Sequence, residues 1–140
     1  MEEEINGTDW LSILVIDDDR GISKAIRQNL EAENIRVFEA ATGLDGIKIL
    51  VESEVDLVLL DIKLPDVSGW GVLSLLRLTE WLSHIPVIII SIESPDVALL
   101  ERLKPEDYIQ KPFDMRDLLV RVGKVIDSWK ANKQTYRKIN

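Results

Sequence analysis

Four segments of the chain that we expect to form strands each lead into polar or charged residues that could do chemistry. Three consecutive acids, residues 17–19, follow the first segment, and Asp61 follows another. Ser91 closes a third segment, and Lys111 comes directly after a fourth. In a parallel sheet the carboxyl ends of the strands meet at one edge, where ligand-binding groups gather. We therefore expect the carboxylates, the hydroxyl and the ammonium to lie in one crevice.

A cluster of carboxylates at these strand ends needs a positive charge to neutralise part of its negative charge. Two like charges about 4 Å apart repel by about 4 kcal/mol at an effective dielectric constant of roughly 20, so a proton, a lysine or a metal ion must neutralise part of the cluster. Mg²⁺ prefers hard oxygen ligands and commonly binds through one or two carboxylates and a substrate phosphate. The residue types therefore favour phosphate chemistry, with a metal at the acids, an aspartate nucleophile, and Lys111 and Ser91 on the remaining phosphate oxygens.

The elements that must position these residues alternate between apolar runs and amphipathic stretches. The apolar runs predict strands at residues 11–17, 35–39, 56–61, 86–91 and 107–110. Helical spacing predicts helices at about 20–32, 44–51, 68–83 and 115–129, with Asp19 and Asp114 as N-caps of the first and last. A further short helix is predicted to begin with Ser94 as N-cap and Pro95 at its first position, and to end at Pro105.

Five strands that alternate with five helices predict a doubly wound α/β domain with a parallel sheet covered on both faces. The predicted domain comprises residues 11–130, between an acidic N-terminal tail (1–10) and a basic C-terminal tail or linker (131–140). Gly69 predicts a tight turn before the third helix.

Composition narrows the function further. Apolar residues make up 46% and charged residues 30% of the chain, which is typical of a soluble globular protein. The absence of cysteine excludes disulfides and thiolate metal sites. The net charge of −8 makes direct binding to nucleic acid unfavourable. No signal peptide or membrane-spanning run is recognisable in the sequence, so we expect a cytoplasmic protein without a membrane partner.

Taken together, four stretches resemble the signature stretches of bacterial response-regulator receiver domains. They are ILVIDDD, LVLLDIKLPDVSGW, PVIIIS and DYIQKPF, in the family's order, and the similarity covers about residues 11–130. The resemblance implies a flavodoxin-like sheet of order 2-1-3-4-5. It also implies that Asp61 accepts a phosphoryl group from the phosphohistidine of a sensor histidine kinase or a phosphotransfer protein, and that Mg²⁺ is bound by Asp17, Asp18, Asp61 and the backbone carbonyl of Lys63.

The same resemblance assigns the remaining roles. Lys111 would pair with the phosphate, Ser91 would hydrogen-bond to it, and the peptide bond before Pro112 would be cis. Tyr108 would be the aromatic whose rotamer follows the state of Ser91, which reshapes the face formed by helix 4, strand 5 and helix 5. That face would meet an output domain, another protein or a second copy of the chain. Phosphorylation and dephosphorylation of Asp61 would be self-catalysed, without turnover of a substrate.

Two features depart from the family pattern, the residue type at position 92 and the length of the segment from Ser91 to Lys111. Ile92 stands where relatives carry a small residue, so we expect it to narrow access to the phosphate. Lys63 and Glu93 should border the mouth of the site, where their opposite charges could form a bridge. The segment from Ser91 to Lys111 is also about two residues short, so we expect a truncated or tilted fourth helix.

Two other functions compete with a phosphorylated switch. A phosphatase of the aspartyl-phosphate type needs a second aspartate two residues after the nucleophile, where this chain has Lys63. A degenerate receiver could act as a binding module without phosphorylation; the complete set of site residues argues against it, whereas Ile92 leaves it open.

Overall fold

Five strands form a parallel sheet in the order β2-β1-β3-β4-β5, in a computed structural model that describes the backbone of residues 11–139 and the side chains of residues 11–131. The strands are β1 Ser12–Ile16, β2 Arg36–Ala40, β3 Leu57–Leu60, β4 Val87–Ser91 and β5 Asp107–Gln110. The helices are α1 Arg20–Glu31, α2 Gly43–Glu52, α3 Gly69–Leu78, α4 Val97–Leu103 and α5 Met115–Ile139. The predicted fold class and strand order are confirmed.

The sheet is buried on both faces because its inner strands are aliphatic at every position except two end residues, Ser12 of β1 and Ser91 of β4. Ile13 and Val15 of β1 point to one side, whereas Leu14 and Ile16 point to the other. The first side packs against α1 and α5 through Ile26, Leu30, Leu118, Val122 and Ile126. The second side packs against α2, α3 and α4 through Leu50, Val72, Leu73, Leu76 and Leu103. Two apolar cores thus enclose the sheet and hold the strand ends in register.

Helices α1 and α5 begin directly after the residues predicted to cap them. The Asp19 carboxylate accepts a hydrogen bond from the Ile22 amide at 3.1 Å, and the Asp114 carboxylate accepts one from the Arg116 amide at 2.7 Å. Both predicted N-caps are therefore confirmed. The caps also determine where the connecting loops end, and one of these loops carries the acids that follow β1.

The start predicted for α4 is wrong. Asp96, and not Ser94, is the N-cap, because its carboxylate accepts a hydrogen bond from the Leu99 amide at 3.2 Å. Ser94 and Pro95 remain in the loop, and the helix keeps only seven residues. The predicted truncation of α4 is thereby confirmed.

Helix α3 ends five residues earlier than expected. Thr79 is its C-cap, with extended backbone angles, and the Thr79 hydroxyl donates to the Leu75 carbonyl at 2.7 Å. A β-branched residue whose side chain satisfies a helical carbonyl weakens the continuation of the helix. Turns follow over residues 80–84, although a helix was expected as far as Ser83.

Arg77 joins the ends of α3 and α4. Its guanidinium donates to the carbonyls of Leu103, Ile85 and Lys104 at 2.9, 3.0 and 3.1 Å. Lys104 has a left-handed backbone with φ of 49°, an uncommon conformation for a residue with a Cβ. The contacts of Arg77 stabilise this turn, which directly precedes Pro105, the residue at which the helix was predicted to end.

The structure describes only part of the two predicted tails. Residues 1–10 lie outside the described residues. Helix α5 continues through the backbone of residues 131–139, so this part of the predicted basic tail is helical. The role of that segment as a linker stays a prediction. None of the helices within residues 11–139 combines the length and apolarity needed to cross a bilayer.

Candidate functional site

Three carboxylates meet at the carboxyl edge of the sheet. Strands β1 and β3 are neighbours, with Ile16 opposite Leu60, so the acids that follow them lie side by side. One oxygen from each of Asp17, Asp18 and Asp61 lies within 4.8 Å of the other two. Asp17 and Asp61 are buried, whereas Asp18 is exposed. The predicted convergence is present, and the cluster offers only hard oxygen donors, the set that suits a cation such as Mg²⁺ or Ca²⁺.

Lys111 supplies the positive charge that the cluster needs. Its Nζ lies 2.9 Å from Asp17 Oδ2 and 3.0 Å from Asp61 Oδ2, and only 14% of its side chain is exposed. The Lys111 amide donates to the Ser91 carbonyl at 2.7 Å, which aligns the end of β5 with that of β4. The peptide bond between Lys111 and Pro112 is cis, as predicted. One ammonium therefore bridges two buried carboxylates.

The electrostatics of the bridge follow from burial and pairing. Burial raises the pKa of Asp17 above its ordinary value, against the lowering effect of its hydrogen bonds with Lys111 and the Asp19 amide. Burial by itself lowers the pKa of Lys111, but its hydrogen bonds to Asp17 and Asp61 and the attraction of their negative charges together raise that pKa above its ordinary value. Lys111 consequently stays protonated at neutral pH and remains a donor to the acids.

The loop after β3 is folded tightly against Asp61. The Gly69 amide donates to the Ile62 carbonyl at 2.8 Å. A β-carbon on Gly69 would lie 2.1 Å from the carbonyl oxygen of Asp61, far inside contact distance. No described glycine has a positive φ, so Gly69 is needed here for close approach and not for an unusual backbone angle. The tight turn expected at this position is present, for that reason.

Ser91 ends β4, and Tyr108 lies near the start of the neighbouring strand β5, opposite Ile89. Ser91 is fully buried, and its Oγ accepts a hydrogen bond from the Glu93 amide at 3.1 Å. The Tyr108 hydroxyl donates to the Glu93 carbonyl at 2.7 Å. Burial raises the pKa of Tyr108, while a hydrogen bond with Ser91 acts in the opposite direction. Within residues 11–131 the Ser91 hydroxyl makes no hydrogen bond to Asp61 or Lys111, so it is engaged with the loop that follows β4.

The bridge considered between Lys63 and Glu93 is not formed. Both side chains are exposed, and no ion pair joins them in the part of the chain that the structure describes. An exposed pair contributes under about 1 kcal/mol, which is too little to hold two long side chains in one geometry. Ile92 is 64% exposed. Its effect on access to the site stays a prediction.

Sequence reasoning missed two residues that shape the site. The Asp66 carboxylate accepts hydrogen bonds from the amides of Gly43 and Leu44, each at 2.9 Å, and so ties the loop after β3 to the start of α2. Pro65 and Asp66 predict a turn, but no sequence pattern predicts that Asp66 would bind the start of α2, more than 20 residues away. Trp70 stacks on Tyr108, with ring centroids 6.4 Å apart. No spacing rule connects these two positions.

The fold and the site define a flavodoxin-like α/β domain with an acidic, lysine-bridged crevice at its strand ends. A family profile described as response regulator receiver domain matches residues 13–123. The chain therefore belongs to the response regulator receiver domains of two-component systems.

Individual relatives agree with this assignment. The transcriptional regulatory protein AfsQ1 of Streptomyces coelicolor is 35% identical over 117 residues, which cover 82% of this chain and 51% of AfsQ1. The chain spans about half the length of the curated relatives it matches.

Solved structures give the same result. A CheY-like receiver domain protein from Methanospirillum hungatei superposes with a TM-score of 0.83 at 28% identity, over 89% of this chain and 99% of its own. The response regulator TrrA of Thermotoga maritima, in complex with Mg²⁺ and BeF, has a TM-score of 0.72 at 27% identity, over 81% of this chain and 97% of its own.

Proposed function

We propose that Asp61 accepts a phosphoryl group from the phosphohistidine of a sensor histidine kinase or a phosphotransfer protein. The observation that carries this proposal is the contact between Asp61 Oδ2 and Lys111 Nζ at 3.0 Å, inside a cluster of three carboxylates. A carboxylate nucleophile needs neighbouring cations to hold the phosphate oxygens as the new bond forms. Asp61 has the lysine beside it and a set of oxygen donors for a metal.

The residues present fit Mg²⁺. Asp17, Asp18, Asp61 and the carbonyl of Lys63 would hold it, since all four offer hard oxygen ligands. Bound there, the ion supplies positive charge that offsets the carboxylates and the incoming phosphate. The solved complex of TrrA with Mg²⁺ and BeF supports the same requirement in this chain.

The transfer forms one bond and breaks one bond. An oxygen of Asp61 attacks phosphorus, and the bond from phosphorus to the donor imidazole nitrogen breaks, with the electron pair leaving on the imidazole. The product is an acyl phosphate that carries close to two negative charges. Lys111 then turns its ammonium from the carboxylate of Asp61 to the new phosphate oxygens, a change of partner for a cation that is already in place.

The switch is the response of Ser91 and Tyr108 to that charge. The Ser91 hydroxyl accepts from the Glu93 amide and keeps its O–H as a donor, which can turn to a phosphate oxygen on Asp61. The Glu93 carbonyl also accepts from Tyr108, so the loop after β4 and the ring of Tyr108 respond together. We assign the face formed by α4, β5 and α5 to the output domain, protein partner or second copy of the chain that detects the change, within a cytoplasmic pathway.

Labelling of Asp61 tests the proposal directly. The full chain is incubated with Mg²⁺ and acetyl phosphate, or with beryllium fluoride, and the adduct is followed by mass or by titration. We expect Asp61→Asn to abolish it and the matched control Asp127→Asn, on the exposed face of α5, to retain it. A wild-type chain that takes no label in the presence of Mg²⁺ would instead be the degenerate binding module.

A further inference from the structure

Trp70 touches the aromatic residue to which we assign the switch. The two rings are inclined by 27° with centroids 6.4 Å apart, which is a stacked arrangement. Both residues are partly buried and pack against the same apolar core, on the side of the sheet covered by α2, α3 and α4. The face of the Tyr108 ring is therefore in contact with the first turn of α3.

That first turn is closely joined to the strand end that carries Asp61. The Ser68 hydroxyl accepts from the Trp70 amide at 3.1 Å, and the Gly69 amide donates to the Ile62 carbonyl at 2.8 Å. No room for a β-carbon exists between Gly69 and the Asp61 carbonyl. The backbone at the start of α3 is therefore in direct contact with that of Asp61 and Ile62.

The other end of Tyr108 is held by a different element. Its hydroxyl donates to the Glu93 carbonyl at 2.7 Å, and the Glu93 amide donates to Ser91. Tyr108 is thus held at its hydroxyl by the loop after β4 and on its ring face by α3.

We propose that Trp70 is a positioning residue of the switch, a second link from Asp61 to Tyr108 that does not pass through Ser91. This inference rests on the proposed role of Tyr108. Trp70 favours the rotamer in which the Tyr108 hydroxyl reaches Glu93, because another rotamer would give up the stacked contact. An aromatic pair of this kind changes the ratio of two rotamers by about two- to tenfold. A movement of the Asp61 loop would alter that ratio through the position of the Trp70 ring.

Fluorine NMR of the full chain measures the ratio of the two Tyr108 rotamers. The chain contains two tyrosines, Tyr108 and Tyr136, so incorporation of 3-fluorotyrosine gives two signals and Tyr136→Phe assigns them. Three variants are compared with the wild type. Trp70→Met keeps side-chain bulk without a ring, Trp70→Phe keeps a ring, and Trp81→Leu removes a tryptophan that is 58% exposed in the connection after α3.

We expect Trp70→Met to shift the Tyr108 signal towards the second rotamer, with the ratio changed by about two- to tenfold. Trp70→Phe should restore most of the wild-type position, and Trp81→Leu should match the wild type. An unchanged Tyr108 signal in Trp70→Met would overturn the proposal, as would equal shifts in the Met and Phe variants, because stacking would then not be the cause.

The measurement separates this inference from the proposed function. The ratio is read first without any phosphodonor, so it does not depend on labelling of Asp61. Beryllium fluoride with Mg²⁺ is then added, and the wild-type signal of Tyr108 should move while that of Asp61→Asn should not. If the wild type fails to respond, the phosphorylation proposal fails and the contribution of Trp70 to the rotamer ratio still stands.

Discussion

Gly69→Ala is the substitution for which the structure predicts the most specific consequence. The added β-carbon would lie 2.1 Å from the Asp61 carbonyl oxygen, 2.7 Å from Ile62 Cα and 2.9 Å from the Asp61 carbonyl carbon. All three atoms belong to the backbone at the end of β3. They cannot rotate away as a side chain would, so α3 and the strand end must separate by more than 1 Å to restore ordinary contact.

The expected cost follows from the behaviour of overpacked sites. Forcing extra atoms into a packed region costs about 1–3 kcal/mol, and more where the backbone must move. Alanine favours a helix over glycine by about 1 kcal/mol, but Gly69 is the first residue of α3, where the benefit is smaller. We expect Gly69→Ala to lower the free energy of unfolding by about 2 kcal/mol or more.

Gly71→Ala is the matched control, in the same helix turn. A β-carbon there would meet nothing within 4 Å, so the substitution should stabilise the protein by about 0.5–1 kcal/mol. Urea unfolding of both variants gives their midpoints. If the slope m is the same for both, the difference between the midpoints gives the difference in the free energy of unfolding. Beryllium fluoride affinity should fall in Gly69→Ala, since the backbone of Asp61 is displaced, and should not change in Gly71→Ala. Equal stability of the two variants would refute the reasoning.

Three further predictions each concern the substitution of one residue. Arg77→Met should destabilise the chain by about 2 kcal/mol or more in urea, because it leaves several carbonyls without their charged donor, whereas the exposed control Arg102→Met should stay within about 0.5 kcal/mol. Backbone hydrogen bonds, that of the Leu44 amide first, hold the pKa of Asp66 below its ordinary value. The stability it confers is therefore present above that ordinary value and is lost as the pH falls through the lowered one. An acid-unfolding profile of Asp66→Asn should lack this component, and an unchanged profile would contradict it. Ile92→Ala should speed labelling by acetyl phosphate, measured as a rate; identical rates would remove Ile92 as a barrier.

Local patterns in the sequence were sufficient for the fold and for the inner part of the site. Continuous aliphatic runs identify the buried strands, because only a sheet covered on both faces needs apolar residues at every position. The carboxyl ends of parallel strands lie at one edge, so the acids after the first and third runs were expected there, and the resemblance to receiver domains implied that these two strands are neighbours. Asp17, Asp18, Asp61 and Lys111 are close together for that reason.

Helix boundaries were less predictable, because neighbouring residues compete for the same role. Ser94, which precedes a proline, has the residue type of an N-cap, and so has Asp96. The hydrogen bond from the Leu99 amide favours Asp96. Thr79 ends α3 although apolar residues continue beyond it. Such outcomes depend on which hydrogen bond the packed chain can complete.

The sequence by itself determined the doubly wound sheet, the strand ends and the charged residues gathered around Asp61. These follow from apolar periodicity and from the geometry of parallel strands, which are local or general properties. Only the tertiary structure determined that Trp70 stacks on Tyr108, that Arg77 holds the end of α4, and that Lys63 and Glu93 remain apart. Each of these contacts, or its absence, depends on distances between elements far apart in the chain, and those distances are set when two apolar cores pack at once.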